Sequence, residues 1–239
     1  MVQKSTLLVF LFLIVCCTTL LAQVDSPTNQ YTFKKGDYNG IGKWYMGREI
    51  AYVMGYQGIG WLERPEREKE EETSKLLKNM NIQPSDVIAD IGAGSGYHVF
   101  KMAPLAKNGK VYAVDIQQEM INAIKANRNY TEQGNVETVL GSEKSVNLPE
   151  NTLDKVLMVD VYHEFSFPYE MLLSIKKALK PNGKLFLIEY RGEDNTVPIK
   201  RLHKMTEKQA VKELKASGFK LEKNLDNLPW QHCMIFVKG

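Results

Sequence analysis

The sequence predicts an α/β fold: a doubly wound, mostly parallel seven-stranded sheet with helices on both faces. Three observations support this prediction. Short apolar runs alternate with helical patterns from residue 85 onward, which is typical of parallel strands joined by right-handed crossovers. A glycine-rich loop directly follows the first of these runs. Two further apolar runs near the C-terminus supply closing strands.

The elements follow in order along the chain. The first helix is predicted from Pro65 to Met80, because proline comes early and glutamates fill the first turns. Its charges are interpreted as a solvated face. The predicted strands are DVIADIG, KVYAVDI, NVETVL, LDKVLMVDV, KLFLIEY, FKLEKNL and QHCMIFVK. The helices between them are predicted at residues 95–106, 117–130, 169–179 and 206–217.

Composition indicates a globular protein with a short leading region. The 239 residues are 44% apolar and 25% charged, an ordinary globular balance. The net charge is +3 and basic residues alternate with acidic ones, so we expect no nucleic-acid partner. Residues 23–45 are polar and contain glycine, proline and asparagine, which predicts a linker or loose arm. The main domain is predicted at residues 46–239, with an N-terminal lid at 46–80.

Residues 1–22 have the layout of a secretory signal peptide. Lys4 supplies the positive flank, an apolar stretch covers residues 6–17, and Ala22 offers a small residue for cleavage. The positive-inside rule places Lys4 on the cytoplasmic side, so the domain is expected outside the cytoplasm. It is then either exported (periplasmic or secreted) or associated with the membrane through an uncleaved or lipid-modified leader.

The stretch DIGAGSGYHVF, residues 90–100, brings bare backbone to the carboxyl end of the first strand of the predicted sheet. Ligands of open parallel sheets bind there. Gly92 and Gly94 allow a ligand to approach the main chain, and Gly96 allows the next helix to pack closely. Tyr97 stands where the dinucleotide fingerprint has its third glycine. NAD(P), and with it an oxidoreductase, is therefore disfavoured but stays open.

Asp115 ends the second strand of the predicted sheet, about 20 residues after the loop, where a carboxylate can accept hydrogen bonds from ribose hydroxyls. This arrangement serves either nucleotide class. The residues by themselves therefore predict a nucleoside-binding α/β domain. An exported, non-catalytic nucleoside- or ligand-binding protein stays open as an alternative.

Four segments resemble the successive motifs of class I S-adenosylmethionine-dependent methyltransferases, in that family's order. They are VIADIGAGSGYHVFKMA, VYAVDIQQEMI, LPENTLDKVLMVDVYHEF and LKPNGKLFLIEY. The resemblance covers residues 60–238 and implies a Rossmann-like methyltransferase domain with S-adenosylmethionine as its cofactor. It is similar to the branch that methylates small molecules. It fixes neither the acceptor nor the oligomeric state.

The resemblance also implies roles for individual residues at the methionine and ribose parts of the cofactor. Asp90 and Gly92 would line the methionine end, with Gly94 beside them. Asp115 would hold the ribose. Asp160, at the end of the fourth strand of the predicted sheet, would lie near the amino group or the methyl group.

The adenine contacts implied by the resemblance involve two further positions. Ile116 would pack on the adenine ring. Glu143 would meet the adenine edge from the loop at residues 141–145, where many relatives carry aspartate.

The segment VDVYHEF contains the candidate general base. Methyl transfer chiefly requires positioning, and a base is needed only if the acceptor atom carries a proton. His163 lies just past the fourth strand, over the expected methyl site, and imidazole titrates near neutrality. A structural histidine satisfied by Glu164 is the alternative. Tyr97 and Tyr162 either contact the sulfonium or pack in the core.

No metal site is expected. His163 and Glu164 are not followed by a histidine at the spacing of zinc proteases. The other histidines, His98, His203 and His232, are scattered along the sequence. Folding could still gather His163 and His203 with Glu164.

Two segments are predicted to form walls of the site. GYQGIGWLERPE carries large apolar side chains between glycines, which suits a mobile lid. YRGEDNTVPIKRLHKM follows the fifth strand of the predicted sheet. Its Arg191, Arg201, His203 and Lys204 either attract an acidic acceptor or belong to a solvated loop.

Overall fold

The computed structural model describes residues 30–239. The predicted leader and residues 23–29 of the predicted arm lie outside the described residues. The strands are β1 (Tyr31–Phe33), β2 (Gly40–Tyr45), β3 (Arg48–Ala51), β4 (Val87–Ile91), β5 (Lys110–Asp115), β6 (Val136–Leu140), β7 (Leu153–Val159), β8 (Leu179–Tyr190), β9 (Phe219–Leu225) and β10 (Gln231–Lys238).

The helices of the described part are α1 (Ile59–Leu62), α2 (Arg67–Glu71), α3 (Thr73–Met80), α4 (Val99–Met102), α5 (Gln118–Ala126), α6 (Arg128–Gln133), α7 (Pro168–Ala178) and α8 (Glu207–Ala216). Short 3₁₀ helices lie at Tyr56–Gly58, Tyr162–Glu164 and Arg201–His203. No helix within residues 30–239 combines the length and the apolar character needed to cross a membrane.

The central sheet has seven strands in the order β6-β5-β4-β7-β8-β10-β9. Neighbouring strands are parallel except for β10, which is antiparallel to both β8 and β9. The predicted doubly wound, mostly parallel sheet is therefore confirmed. The chain order reverses between β4 and β7, so the crevice at which such sheets bind ligands opens beyond the carboxyl ends of these strands.

Both faces of the sheet are covered by helices. In β8, Leu185 and Leu187 belong to one buried cluster with residues of α7 and α8. Phe186 and Ile188 belong to the other cluster, with residues of α3, α4 and α5. Because successive strand residues point to opposite faces, a strand covered on both sides must be a nearly continuous apolar run. This requirement explains the sequence of KLFLIEY.

Three of the predicted helices are shorter or interrupted in the structure. The helix predicted at 65–80 is divided into α2 and α3 at Glu72, which has a left-handed φ of 48°. The helix predicted at 117–130 is divided at Asn127, whose side chain accepts a hydrogen bond from the Asn129 N–H and caps α6. Only α4 and turns form within 95–106.

The prediction of a loose arm at residues 23–45 is wrong for the part that the structure describes. Strands β1, β2 and β3 form a three-stranded antiparallel sheet. The Tyr31 hydroxyl donates to the Glu170 carboxylate of α7 at 2.5 Å. The Lys43 ammonium lies 3.3 Å from the centre of the Phe167 ring. The polar, glycine-containing composition reflects tight turns between strands, which share these residue types with linkers.

A buried ion pair fixes β3 against α8. The Arg48 guanidinium donates from Nε and Nη2 to the two carboxylate oxygens of Glu213, at 2.8 and 2.9 Å. The Tyr162 hydroxyl donates to the same carboxylate at 2.9 Å. Arg48 Nη1 also donates to the backbone carbonyl of His163 at 3.0 Å. The small sheet thereby holds the 3₁₀ helix that carries His163.

Replacing Glu213 tests this connection. We expect Glu213→Ala to lower the free energy of unfolding by about 3–5 kcal/mol, because Arg48 would stay buried without its partner. The matched control is Glu222→Ala, which removes the exposed pair with Lys184 and should cost at most about 1 kcal/mol. Urea unfolding followed by circular dichroism measures both. Equal losses for the two variants would contradict the proposed anchoring.

Candidate active site

A cavity of about 400 Å³ opens at the carboxyl ends of β4, β5 and β7. Its wall combines the glycine loop after β4, the end of β5, the loop at 141–145, the segment after β7 and the segment after β8. This is the edge of the sheet at which the sequence predicts the ligand. The volume is within the range of small-molecule sites, about 300–1,000 Å³.

The glycine loop lies against the cavity in a conformation that side chains disfavour. Gly92 and Gly94 have φ values of 76° and 55°, and both line the cavity. A Cβ on Gly92 would collide with the Val161 side chain. Gly96 does not line the cavity; a Cβ there would meet Phe100 of the following helix, as predicted for a packing glycine. The bare backbone therefore remains available to a ligand at Gly92 and Gly94.

Asp115 joins the glycine loop to the end of β5. Its Oδ2 accepts the Gly94 N–H at 3.0 Å and its Oδ1 accepts the Gln117 N–H at 2.9 Å. Burial raises the pKa of this carboxyl, while the backbone donors oppose the shift. Asp115 and Ile116 both line the cavity. Their roles towards ribose and adenine stay predictions.

Two further acidic side chains at this edge, buried Asp90 and half-buried Asp160, each have one unpaired oxygen out of water. Asp90 Oδ2 and Asp160 Oδ1 find no hydrogen-bond partner among the described residues. Burial raises the pKa of Asp90 to about 7, an effect that Arg67 opposes and Asp115 increases. Asp160 lines the cavity, whereas Asp90 does not. Because buried polar atoms normally have a partner, the free Asp160 oxygen suits a ligand that carries ammonium or sulfonium charge.

Asp160 combines an unusual backbone with an unusual environment. Its φ is 50°, in the left-handed region, directly after β7. Its Oδ2 accepts a hydrogen bond from Gln231 Nε2 at 2.6 Å. Burial and the nearby carboxylates of Glu71 and Glu189 hold its pKa well above the ordinary value. Strained backbone at a cavity wall is typical of functional positions.

The structure corrects the interpretation of the charged helix as a solvated face. Arg67 and Glu71 of α2 are buried and line the cavity. Arg67 Nε donates to Glu71 Oε2 at 2.8 Å, and Arg64 Nη2 donates to Glu71 Oε1 at 2.6 Å. The Tyr190 hydroxyl donates to the same oxygen at 3.0 Å. The spacing of Arg64, Arg67 and Glu71 by three and four residues was the available signal.

The segment predicted as a lid borders the cavity. Met54 and Trp61 line it, and Trp61 remains 47% exposed. The Met54 N–H donates to Glu164 Oε1 at 3.1 Å, and Gln117 Nε2 donates to the Met54 carbonyl at 3.0 Å. The Tyr56 N–H donates to Gln117 Oε1 at 2.9 Å. The segment therefore rests on the end of β5 and on the 3₁₀ helix after β7.

His163 lies buried on the cavity wall in a polar network. Its Nδ1 is 2.6 Å from Glu189 Oε2, and its Nε2 is 3.1 Å from His203 Nδ1. Burial alone would lower its pKa, but Glu189 and Glu164 outweigh burial and raise it. Glu189 was not among the site residues predicted from the sequence. A carboxylate inside the apolar run KLFLIEY was the signal that could have found it.

The remaining predicted site residues divide into two groups. Glu143 lines the cavity from its exposed loop. Tyr97 and Tyr162 do not belong to the cavity wall of the described structure. The Tyr162 side chain is fully buried against Glu213, and Tyr97 lies under the Arg67 guanidinium at 4.3 Å. Packing, the alternative stated from the sequence, accounts for both side chains in the described structure, and a contact of either tyrosine with the cofactor stays a prediction.

The segment after β8 contributes fewer basic side chains to the cavity wall than its composition suggested. Of the four basic residues named from the sequence, His203 alone lines the cavity. Arg191 instead donates to Asp226 at 2.7 Å and to the carbonyls of Leu228 and Pro229. His203 Nδ1 lies 3.5 Å from Glu164 Oε1. The fold thus gathers histidines that are scattered in sequence, which removes the ground for expecting no metal.

Comparison with known proteins decides the family. A family model described as "Methyltransferase domain" matches residues 82–232. The chain belongs to this methyltransferase family. It is a S-adenosylmethionine-dependent methyltransferase of class I, with the Rossmann-like fold predicted from the sequence. S-adenosylmethionine is its cofactor, and the unpaired Asp160 oxygen, the glycine loop and Asp115 on the cavity wall fit this cationic nucleoside. The alternatives of an oxidoreductase and of a non-catalytic binding protein are not favoured.

A similar sequence and a similar solved structure also belong to methyltransferases. The uncharacterized methyltransferase YdaC of Bacillus subtilis is 28% identical over 60% of this chain and 76% of its own length. A crystal structure of a SAM-dependent methyltransferase from Aquifex aeolicus has a TM-score of 0.72 at 25% identity, and the match covers 77% of this chain and 98% of that one.

Other relatives are longer than the matched region. A tRNA U34 carboxymethyltransferase of Pseudoalteromonas atlantica is 31% identical over 46% of this chain and 34% of its own length. The chain also spans less than half, 46%, of a methyltransferase-like protein of Schizosaccharomyces pombe. The activities of these whole proteins therefore do not transfer directly to this methyltransferase.

Asp115→Ala tests the predicted nucleoside cradle. Removing the carboxylate deletes the predicted ribose acceptor and frees the Gly94 N–H. Hydrogen bonds to charged groups contribute about 1.5–3 kcal/mol, so we expect the Kd for S-adenosylmethionine to rise about 10- to 150-fold by calorimetry. The control is Glu119→Ala on the exposed surface of α5, with unchanged affinity. Wild-type affinity in Asp115→Ala would remove the ribose assignment.

The raised pKa of Asp90 predicts a pH dependence of stability without cofactor. Folded Asp90 keeps its proton up to about pH 7, whereas the unfolded chain releases it near 3.8. The stability that the protonated carboxyl contributes is therefore present below 3.8 and is lost as the pH rises through about 7. Urea unfolding should show the wild type losing stability relative to Asp90→Asn across this window. Parallel curves for the two proteins would contradict the prediction.

Proposed function

We propose that the enzyme transfers the methyl group of S-adenosylmethionine to a small molecule, at a heteroatom that carries a proton. One observation supports this proposal above others. The same cavity is lined by the glycine loop and Asp115 and by a polar cluster of His163, Glu164 and His203. We call these three residues the polar cluster. A protic acceptor next to basic groups can lose its proton as the new bond forms.

The chemistry requires little covalent participation by the protein. S-adenosylmethionine supplies a methyl group bonded to a sulfonium, whose carbon–sulfur bond breaks with the electron pair staying on sulfur. A lone pair of the acceptor heteroatom forms the new bond to carbon, and the acceptor proton leaves through the polar cluster to solvent. Glu189 Oε2 lies 2.6 Å from His163 Nδ1 and fixes the imidazole ring. The other ring nitrogen, Nε2, then faces His203. Holding the methyl donor and the acceptor together in reactive geometry can supply about 7–11 kcal/mol of the barrier.

The acceptor is proposed to be a small molecule for two reasons. The cavity volume, about 400 Å³, suits a compact molecule beside the cofactor. The interleaved basic and acidic residues of the sequence form no stripe that would follow a polynucleotide backbone. We also propose, from the layout of residues 1–22 alone, that the enzyme acts outside the cytoplasm or at a membrane surface.

A panel of acceptors tests the proposed function. The purified protein is incubated with S-adenosylmethionine and representative thiols, phenols, alcohols and amines, and release of S-adenosylhomocysteine is measured. We expect turnover with at least one protic class. His163→Ala should lower kcat about 10²- to 10⁴-fold while the affinity for S-adenosylmethionine changes less than about twofold.

The control for this experiment is His232→Ala, since His232 pairs with Glu193 at 2.9 Å and does not line the cavity. Its rate should match the wild type. Tight cofactor binding without release of S-adenosylhomocysteine in the presence of any acceptor class would contradict the proposed function. An unchanged rate in His163→Ala would remove the polar cluster from the chemistry.

A further inference from the structure

We propose that the polar cluster binds one divalent transition-metal ion, with Zn²⁺ as the expected occupant, through His163 Nε2, His203 Nδ1 and a Glu164 carboxylate oxygen. The open coordination position of this ion would take a thiol or hydroxyl of the acceptor. The binding of the acceptor to the metal rests on the proposed function. Metal binding itself does not depend on that function and can be measured without turnover.

The spacing of the three donor atoms matches that of a metal site. His163 Nε2 and His203 Nδ1 are 3.1 Å apart. Glu164 Oε1 lies 3.5 Å from the His203 nitrogen and 3.8 Å from the His163 nitrogen. Ligands about 2.0–2.1 Å from a tetrahedral Zn²⁺ ion stand about 3.3–3.4 Å from one another. The three separations bracket this value, so a single ion can reach all three atoms with small side-chain adjustments.

A hydrogen bond between the two histidines explains this arrangement only in part. Such a bond accounts for the separation of 3.1 Å between the ring nitrogens. It does not by itself account for the Glu164 carboxylate, which lies within ion-pair distance of both rings and also accepts the Met54 N–H. A single cation among the three atoms fits all three separations at once.

The surroundings of the polar cluster orient the donor atoms. His163 Nδ1 lies 2.6 Å from Glu189 Oε2, an arrangement that leaves the Nε2 lone pair for a metal. A carboxylate behind a ligating histidine is typical of zinc sites. The Met54 N–H donates to Glu164 Oε1 at 3.1 Å and restricts that side chain. Two of the three ligands are thus held before an ion arrives.

Donor chemistry and exposure define the class of metal and its role. Two imidazoles and one carboxylate suit Zn²⁺ or another first-row transition metal, whereas Mg²⁺ and Ca²⁺ prefer oxygen donors. His163 and Glu164 are buried, and all three residues line the cavity. No other group of three such side chains gathers in this way within residues 30–239. Three protein ligands leave a position for substrate, as in catalytic zinc sites.

An ion at this position would change how the acceptor is activated. A thiol or hydroxyl bound to Zn²⁺ loses its proton far more readily than the free group. The anion formed then attacks the methyl carbon, and the proton goes to solvent. His163 would serve as a ligand in this scheme, while Glu189 acts as a positioning residue.

Metal content and cobalt spectroscopy test the proposal. The purified full chain is stripped with a chelator, dialysed against Zn²⁺ and analysed for bound metal, then titrated separately with Co²⁺. We expect one Zn²⁺ per chain and visible Co²⁺ absorption of the intensity typical of tetrahedral sites. Glu164→Gln and His203→Ala should each weaken binding at least tenfold, and Glu189→Gln by about 10- to 100-fold. His232→Ala is the control and should bind as the wild type does.

The outcomes separate this proposal from the proposed function. One bound metal without methyl transfer to any acceptor supports the metal site and counts against the proposed function. Turnover that is indifferent to chelation and to Glu164→Gln, in a protein that binds no Zn²⁺ at micromolar concentration, overturns the metal site while methyl transfer stands. Should a variant fail to fold, the wild-type Co²⁺ spectrum still decides the matter, because octahedral or absent absorption overturns the proposal.

Discussion

The central physical constraint on this methyltransferase is the burial of several carboxylates at the carboxyl edge of its sheet. Asp90, Glu189 and Glu213 are buried there or close to it, and half-buried Asp160 has one carboxylate oxygen out of water. An unpaired buried carboxylate costs several kcal/mol, so each needs a partner or a proton. The arrangement of arginines, histidines and ligand space around the cavity follows from this requirement.

Two different solutions to this constraint lie side by side. Glu213 receives a bidentate Arg48 and a tyrosine hydroxyl, and that pairing fixes the N-terminal sheet to the main domain. Asp90 and Asp160 instead keep an oxygen without a partner and have raised pKa values. The first solution stabilises the fold. The second leaves two carboxyl groups whose charged form is disfavoured by burial.

Glu189 connects the buried core of the sheet to the polar cluster at the cavity. It lies in the buried second half of β8, yet its carboxylate holds the imidazole that faces the cavity. Arg48 supports the same imidazole through the His163 carbonyl. The reactive face is therefore built on rigid strands, with the segment from Met54 to Trp61 resting on it through a few hydrogen bonds. Such a division suits an enzyme that must admit two substrates and then exclude water.

The sequence by itself determined the sheet, its strands, the glycine loop and Asp115, because strand periodicity and the loop after β4 are local patterns. The tertiary structure decided which charges are buried. The run from Arg64 to Glu71 reads as a solvated helix until packing turns Arg67 and Glu71 towards the cavity. Likewise, His163 and His203 are 40 residues apart, and only the crossover after β8 brings their rings together. Burial and long-range pairing depend on how elements pack, and no local pattern encodes that.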